Sequence, residues 1–107
     1  MEPSDGELIA RSQKGDREAF GTIVRRYMQR AYHSALALVG EHNDAMDLSQ
    51  EAFVRAFRGI KGFNTALPFF PWYHKTLHNV WINRARKGRA VKMMPLSGGR
   101  GEDESQL

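Results

Sequence analysis

Six aromatic side chains, Phe63, Phe69, Phe70, Trp72, Tyr73 and Trp81, are interleaved with or followed by six cations, Lys75, Arg84, Arg86, Lys87, Arg89 and Lys92. A protein that holds single-stranded nucleic acid needs flat groups on which unstacked bases can rest and cations along the phosphates, and each stacked base contributes about 1–3 kcal/mol. A small domain must also fill its interior with large side chains. More than half of these rings are therefore assigned to the core, with Phe70 and Trp81 expected to be exposed. Lys75, Asn79 and Asn83 recur every four residues and would form one stripe on a helix. An asparagine amide can address a base edge as donor and acceptor at once, which an ammonium cannot, so Asn79 and Asn83 are the candidate base readers and Lys75 a phosphate contact. A buried structural role is the equal alternative for Asn79.

The charge is distributed unevenly. Residues 1–64 carry nine Lys/Arg and nine Asp/Glu, residues 65–92 carry six and none, and residues 93–107 carry one and three. The formal net charge of +4 thus resides in one segment. Because a solvated helix face ordinarily mixes both signs, that segment points to a polyanion. A second constellation, Asp44, Asp47, Gln50, Glu51, Arg55 and Arg58, lies at helical spacing and offers acceptors to a partner's arginines, with an ordinary solvated face as the alternative.

Other chemistries find no support. There is no cysteine, which removes disulfides and thiolate chemistry. No serine or threonine sits in a nucleophile elbow. Ser97-Gly98-Gly99-Arg100-Gly101 lacks the lysine and following helix of a phosphate loop. His74 and His78 have the spacing of a zinc pair, but Lys75 stands where a metalloprotease places its glutamate, so the two imidazoles are read as polar groups on a DNA-facing surface. No enzyme activity, cofactor or metal is expected.

These side chains require helices. Ser4 and Glu7 have the form of a capping box opening a helix near 5–14, which Gly15 can end. Asp16 can cap a long second helix through Phe20, Val24, Tyr27, Ala31, Ala35 and Leu38 to Gly40. Asn43 or Asp44 begins a third, in which Leu48, Ala52, Phe53, Ala56, Phe57 and Ile60 share a face, with Gly59 and Gly62 at its end. The period fails from Gly62 to Trp72, an ordered loop holding Pro68 and Pro71. A fourth helix is expected from about Pro71 to Arg86 or beyond, with Tyr73, Leu77 and Val80 facing the core. From Met94 onward, Pro, Gly, Ser and Glu102-Asp103-Glu104 read as a flexible tail. At 107 residues the chain has the length of one domain. No stretch approaches the roughly 20 apolar residues of a membrane span, and the acidic, polar N-terminus is unlike a signal peptide. A soluble, unprocessed protein of the cytoplasm is expected.

Residues 44–63, from Asp44-Ala45-Met46-Asp47 through Gln50-Glu51-Ala52-Phe53 and Ala56-Phe57 to Phe63, resemble the second-region signature of extracytoplasmic-function sigma factors, D-A-x-D-x-x-Q-E-x-F-x-x-A-[FW]. Gly15-Asp16-Arg17-Glu18-Ala19-Phe20 is similar to the family's G-D-x-x-A-F opening. The run from Pro71 to Arg84 resembles its T-W-L-Y-R-I-A-x-N-x-x-x-[ND]-x-x-R. The resemblance covers about residues 5–90. It implies an all-α fold, a compact four-helix domain of the sigma factor region 2 type over residues 1–92, with 93–107 starting a flexible interdomain linker.

The resemblance also implies a division of labour. Asp44, Asp47, Leu48, Gln50, Glu51 and Arg55 would bind the clamp coiled coil of the largest subunit of core RNA polymerase. Asn64, Phe70, Lys75, His78, Asn79, Asn83, Arg86 and Lys87 would bind the single-stranded non-template strand of the promoter minus-ten element. An anti-sigma protein is a further implied partner. The family loop F-x-G-[DE]-x-x-F-x-[ST]-W is altered here, with Thr65-Ala66 at the glycine and acid and Pro71 at the hydroxyl; the recognised base either differs or is held by shape and stacking. The fourth-region helix-turn-helix does not follow the tail, which fits an excised domain or a shortened protein. Two other readings stand beside promoter melting: a sigma-like interaction domain without base recognition, and a generic basic duplex-binding domain.

Overall fold

The computed structural model describes residues 2–93, with side chains to Gly88. Four α-helices, α1 (Asp5–Gln13), α2 (Arg17–Val39), α3 (His42–Arg58) and α4 (Phe69–Met93), are joined by short connections, with a 3-10 turn at Ile60–Gly62 before the last loop. The expected tail, beyond Met93, lies outside the described residues, as do the side chains of Arg89 and Lys92.

Local chemistry sets most of the helix ends. Ser4 Oγ accepts from the Glu7 N–H at 3.1 Å and Glu7 Oε1 accepts from the Ser4 N–H at 2.9 Å, a complete capping box. The Asp16 carboxylate accepts from the Ala19 N–H at 3.1 Å. Gly40, at φ 75°, closes α2 in the left-handed conformation that costs a side chain most, and its N–H donates to the Leu36 carbonyl. Two boundaries differ from the sequence expectation. Helix α3 starts at His42, because Glu41 serves as its cap and accepts from the Asp44 N–H at 2.8 Å. Helix α4 starts at Phe69, two residues before Pro71. Proline is tolerated there because the first-turn N–H groups of a helix have no intrahelical acceptor.

The core unites all four helices through Leu8, Ile9, Phe20, Ile23, Leu48, Phe53, Phe69, Tyr73, Leu77 and Val80. Alanines 31, 35, 45, 52 and 56 are fully buried and let α2 and α3 approach closely. Tyr73 stacks on Phe53 at 4.3 Å between ring centroids and donates its hydroxyl to the Ser49 carbonyl at 2.9 Å, tying α4 to α3. Burial of that hydroxyl raises its pKa. The Gln13 amide donates to the carbonyls of Ile60 at 2.9 Å and Phe63 at 2.8 Å, which anchors the 3-10 turn to α1.

Candidate nucleic-acid interface

Helix α4 presents different side chains on its two flanks. With Tyr73, Leu77 and Val80 turned to the core, Trp72, Lys75, Thr76, Asn79, Asn83 and Arg86 recur at three- and four-residue intervals along one side, with Lys87 at its edge. Lys75, Asn79, Asn83, Arg86 and Lys87 are all exposed. The buried alternative for Asn79 is thereby set aside. At its N-terminal end this flank meets the loop, where the half-buried Trp72 packs on Phe63 at 4.8 Å. Asn64 follows, exposed, its side chain accepting from the Ala66 N–H at 2.9 Å and so shaping the turn that displays Thr65, Ala66, Leu67 and Pro68.

Phe70 departs from expectation. It is 8% exposed, and its exposure is corrected to burial: its ring packs against Tyr27 at 5.7 Å and Tyr73 at 5.6 Å, with the Arg30 guanidinium covering it at 4.1 Å. Phe63 and Phe69 are sealed as well. Sequence periodicity misses this because the loop has none, and these rings pack between helices that are distant in the chain. Trp81, also expected to be exposed, is half-buried against the core.

His78 lies away from the asparagine stripe. Phe70, His74, His78 and Trp81 form a ladder along α4 that meets α2 at Phe70, with successive centroids 6.0, 5.1 and 5.7 Å apart. Both imidazoles are half-exposed. Among the described residues no group of three or more His, Asp or Glu side chains gathers as a metal site would.

On the outer face of α3, Asp44, Asp47, Gln50 and Arg55 are exposed and Glu51 is half-exposed. Leu48 is fully buried and corrects to a core residue, since it shares a face with Ala45 and Ala52. The acids are not free. Arg84 of α4 reaches across, its Nη2 donating to Asp47 Oδ2 at 2.7 Å and its Nε to Glu51 Oε1 at 3.1 Å, while Arg55 Nη2 donates to Glu51 Oε2 at 3.4 Å. Partial burial works against the Arg84 charge, and the hydrogen bonds and charges of Glu51 and Asp47 outweigh it, raising its pKa. Residues 44–58 thus build an acid-and-amide surface, and α4 a cationic, amide-bearing one.

The sequence pattern of Sigma-70 region 2 matches residues 23–91. The chain belongs to this family. It is 34% identical over 87 residues to the ECF RNA polymerase sigma factor SigW of Bacillus subtilis, covering 81% of this chain and 46% of that protein. It is 32% identical over 82 residues to the RNA polymerase sigma-H factor of Pseudomonas aeruginosa, covering 77% of this chain and 40% of that protein. The chain therefore spans less than half the length of these curated relatives. Among solved structures, an engineered region 2 of sigmaE in complex with GTAAAA superposes with a TM-score of 0.78 at 28% identity, covering 86% of this chain and 96% of that one. CnrH, solved in complex with the cytosolic domain of CnrY, superposes with a TM-score of 0.68 at 25% identity, covering 82% of this chain and 60% of that one. The four-helix, extracytoplasmic-function region 2 expectation holds, and this family consists of transcription initiation factors, not enzymes. No described helix is long and apolar enough to cross a membrane.

Proposed function

We propose that this region 2 domain acts in transcription initiation by binding core RNA polymerase through the outer face of α3 and capturing bases of the minus-ten non-template strand along α4. The observation that carries the reading is the continuous exposed flank of Lys75, Asn79, Asn83 and Arg86 running from Trp72 and the loop at Asn64. Amides there supply base-edge donors and acceptors, and cations supply phosphate contacts. The sigmaE region 2 neighbour, solved with GTAAAA, supports a role in DNA recognition. With the phenylalanines sealed, the surface left to receive a base is the edge of Trp72 and the exposed loop, including Leu67 at 57% exposure. Base capture then rests on shape and amide hydrogen bonds more than on stacked loop rings.

Asp44, Asp47, Gln50, Glu51 and Arg55 form the polymerase-binding surface in this reading, a set of acceptors suited to a basic coiled coil. Between α2 and α3, beside it, Met28, Tyr32 and Met46 line an open depression of about 410 Å3 that can take an apolar side chain of the same partner. An anti-sigma protein covering these surfaces is a further partner, supported by the CnrH neighbour held by a cytosolic domain of another protein.

The test is selection from randomised single-stranded oligonucleotides, with duplex competitors and with core polymerase in a parallel arm. Enrichment of a short motif is expected, together with polymerase binding. The sealed phenylalanines favour one second reading, an interaction domain without base recognition, for which polymerase binding without any enriched motif is the expected result. Equal affinity for duplex and single strands would indicate a generic basic domain instead.

A further inference from the structure

Arg84 follows Asn83 directly and belongs by sequence to the acid-free basic segment, yet its guanidinium is committed to α3. Nη2 donates to Asp47 and Glu51, and Nε donates to Glu51, whose second oxygen accepts from Arg55. Arg84 is 37% exposed, Glu51 34% and Asp47 72%, so this network sits at the surface. Two carboxylates of the neighbouring helix are thus held by the residue next to Asn83, one of the candidate base readers. Charges separated by less than the Debye length of about 10 Å act on one another, so two bare carboxylates there would repel a phosphate backbone.

We propose that Arg84 is a positioning residue and not a strand contact: it holds Asp47 and Glu51 in register for the polymerase-binding face and, together with Arg55, neutralises their charge beside the strand-binding flank. One fork-shaped guanidinium can bridge two carboxylates, which an ammonium cannot do with the same geometry. The two proposed faces of so thin a domain become compatible because this cation stands between them. The inference rests on the function proposed above and adds a specific role to a residue that both faces need.

The test is a double-mutant cycle on the whole 107-residue chain. The probe is a labelled single-stranded oligonucleotide containing GTAAAA, titrated over a salt series. Arg84→Gln is expected to weaken binding by roughly three- to tenfold, from one uncompensated carboxylate charge at short range in a wet surface environment. In a chain already carrying Asp47→Asn and Glu51→Gln, the same change should cost less than about twofold in affinity and leave the salt slope unchanged. Arg84→Lys, which retains the charge but loses the fork, should keep oligonucleotide affinity within about twofold while weakening core polymerase binding.

A loss that persists without the two carboxylates, with a salt slope smaller by about 0.7, would make Arg84 a direct phosphate contact and overturn the inference. A null effect of Arg84→Gln in the parent chain would overturn it too. Failure of the parent chain to select any motif from randomised single strands would overturn the proposed function and this inference together. Motif selection with an independent Arg84 effect would overturn this inference alone.

Discussion

Asn83 and Lys87 stand one helical turn apart on α4, and both are exposed, but their chemistry differs. Asn83→Ala should relax preference at one base position by about 1–3 kcal/mol, because only an amide at that site can satisfy both a donor and an acceptor on a base edge. Lys87→Ala should weaken all oligonucleotides alike and flatten the salt dependence by about one phosphate's share. Competition between sequence variants over a salt series checks both, and a uniform loss for Asn83→Ala would remove it as a reader. Glu41 offers a pH-dependent test at the same scale. Hydrogen bonds from the backbone N–H groups of Asp44 and Asn43 favour its ionised form and lower its pKa from the ordinary 4.5. Its capping contribution is present above that value and is lost as pH falls through the lowered one. In denaturant titrations against pH, Glu41→Gln should flatten part of the acid limb of stability while leaving the neutral side sloped as before.

At the scale of elements, the loop before α4 owes its position to a contact from the other end of the chain. Gln13 on α1 fills the carbonyls of Ile60 and Phe63, and Trp72 closes over Phe63 from the far side. Gln13→Ala should destabilise the domain by about 1–3 kcal/mol, the cost of leaving partly buried acceptors unpaired. Amide hydrogen exchange should rise first at Ile60–Phe63 and not in α2. A loss spread evenly over all helices would show that Gln13 acts on global stability alone. Phe70→Ala belongs with core substitutions: removal of this buried ring should cost about 3–5 kcal/mol in denaturant unfolding. Weaker DNA binding in that variant would report the damaged fold before any lost base contact.

Across the whole molecule, the same two helices carry opposite charges on neighbouring surfaces. Helix α3 exposes carboxylates, and the α4 segment contains no acid between residues 65 and 92. Asp47→Arg should abolish core polymerase binding by setting like charge against a basic partner and against Arg84, while the helical circular dichroism spectrum stays unchanged, since Asp47 lies outside the core. Undiminished polymerase affinity would move that interface elsewhere on the domain. The N-terminus contributes to the same integrity. Arg26 donates to Asp5 at 2.8 Å and to the Pro3 carbonyl, and Tyr27 donates to Asp5. This ties α1 to the aromatic cluster beneath the loop, where Tyr27 packs on Phe69 and Phe70.

The sequence by itself determined what depends on near neighbours. Helix number, the Ser4–Glu7 and Asp16 caps, the Gly40 stop, the buried face of α3 and part of that of α2 follow from spacings of three and four residues, while Ile23, fully buried on α2, escaped that pattern; the segregation of charge into residues 65–92 is a matter of composition. The asparagine stripe was legible for the same reason. Tertiary structure alone decided which rings are buried, because Phe63, Phe69 and Phe70 occupy an aperiodic segment and take their surroundings from α1, α2 and α3. It also decided which charges are available: Arg84 reads as one more cation of a basic run until folding brings Asp47 and Glu51 within hydrogen-bonding reach. Local periodicity sets the direction in which a side chain points, but the partner that meets it comes from elsewhere in the chain and exists only once the helices have packed.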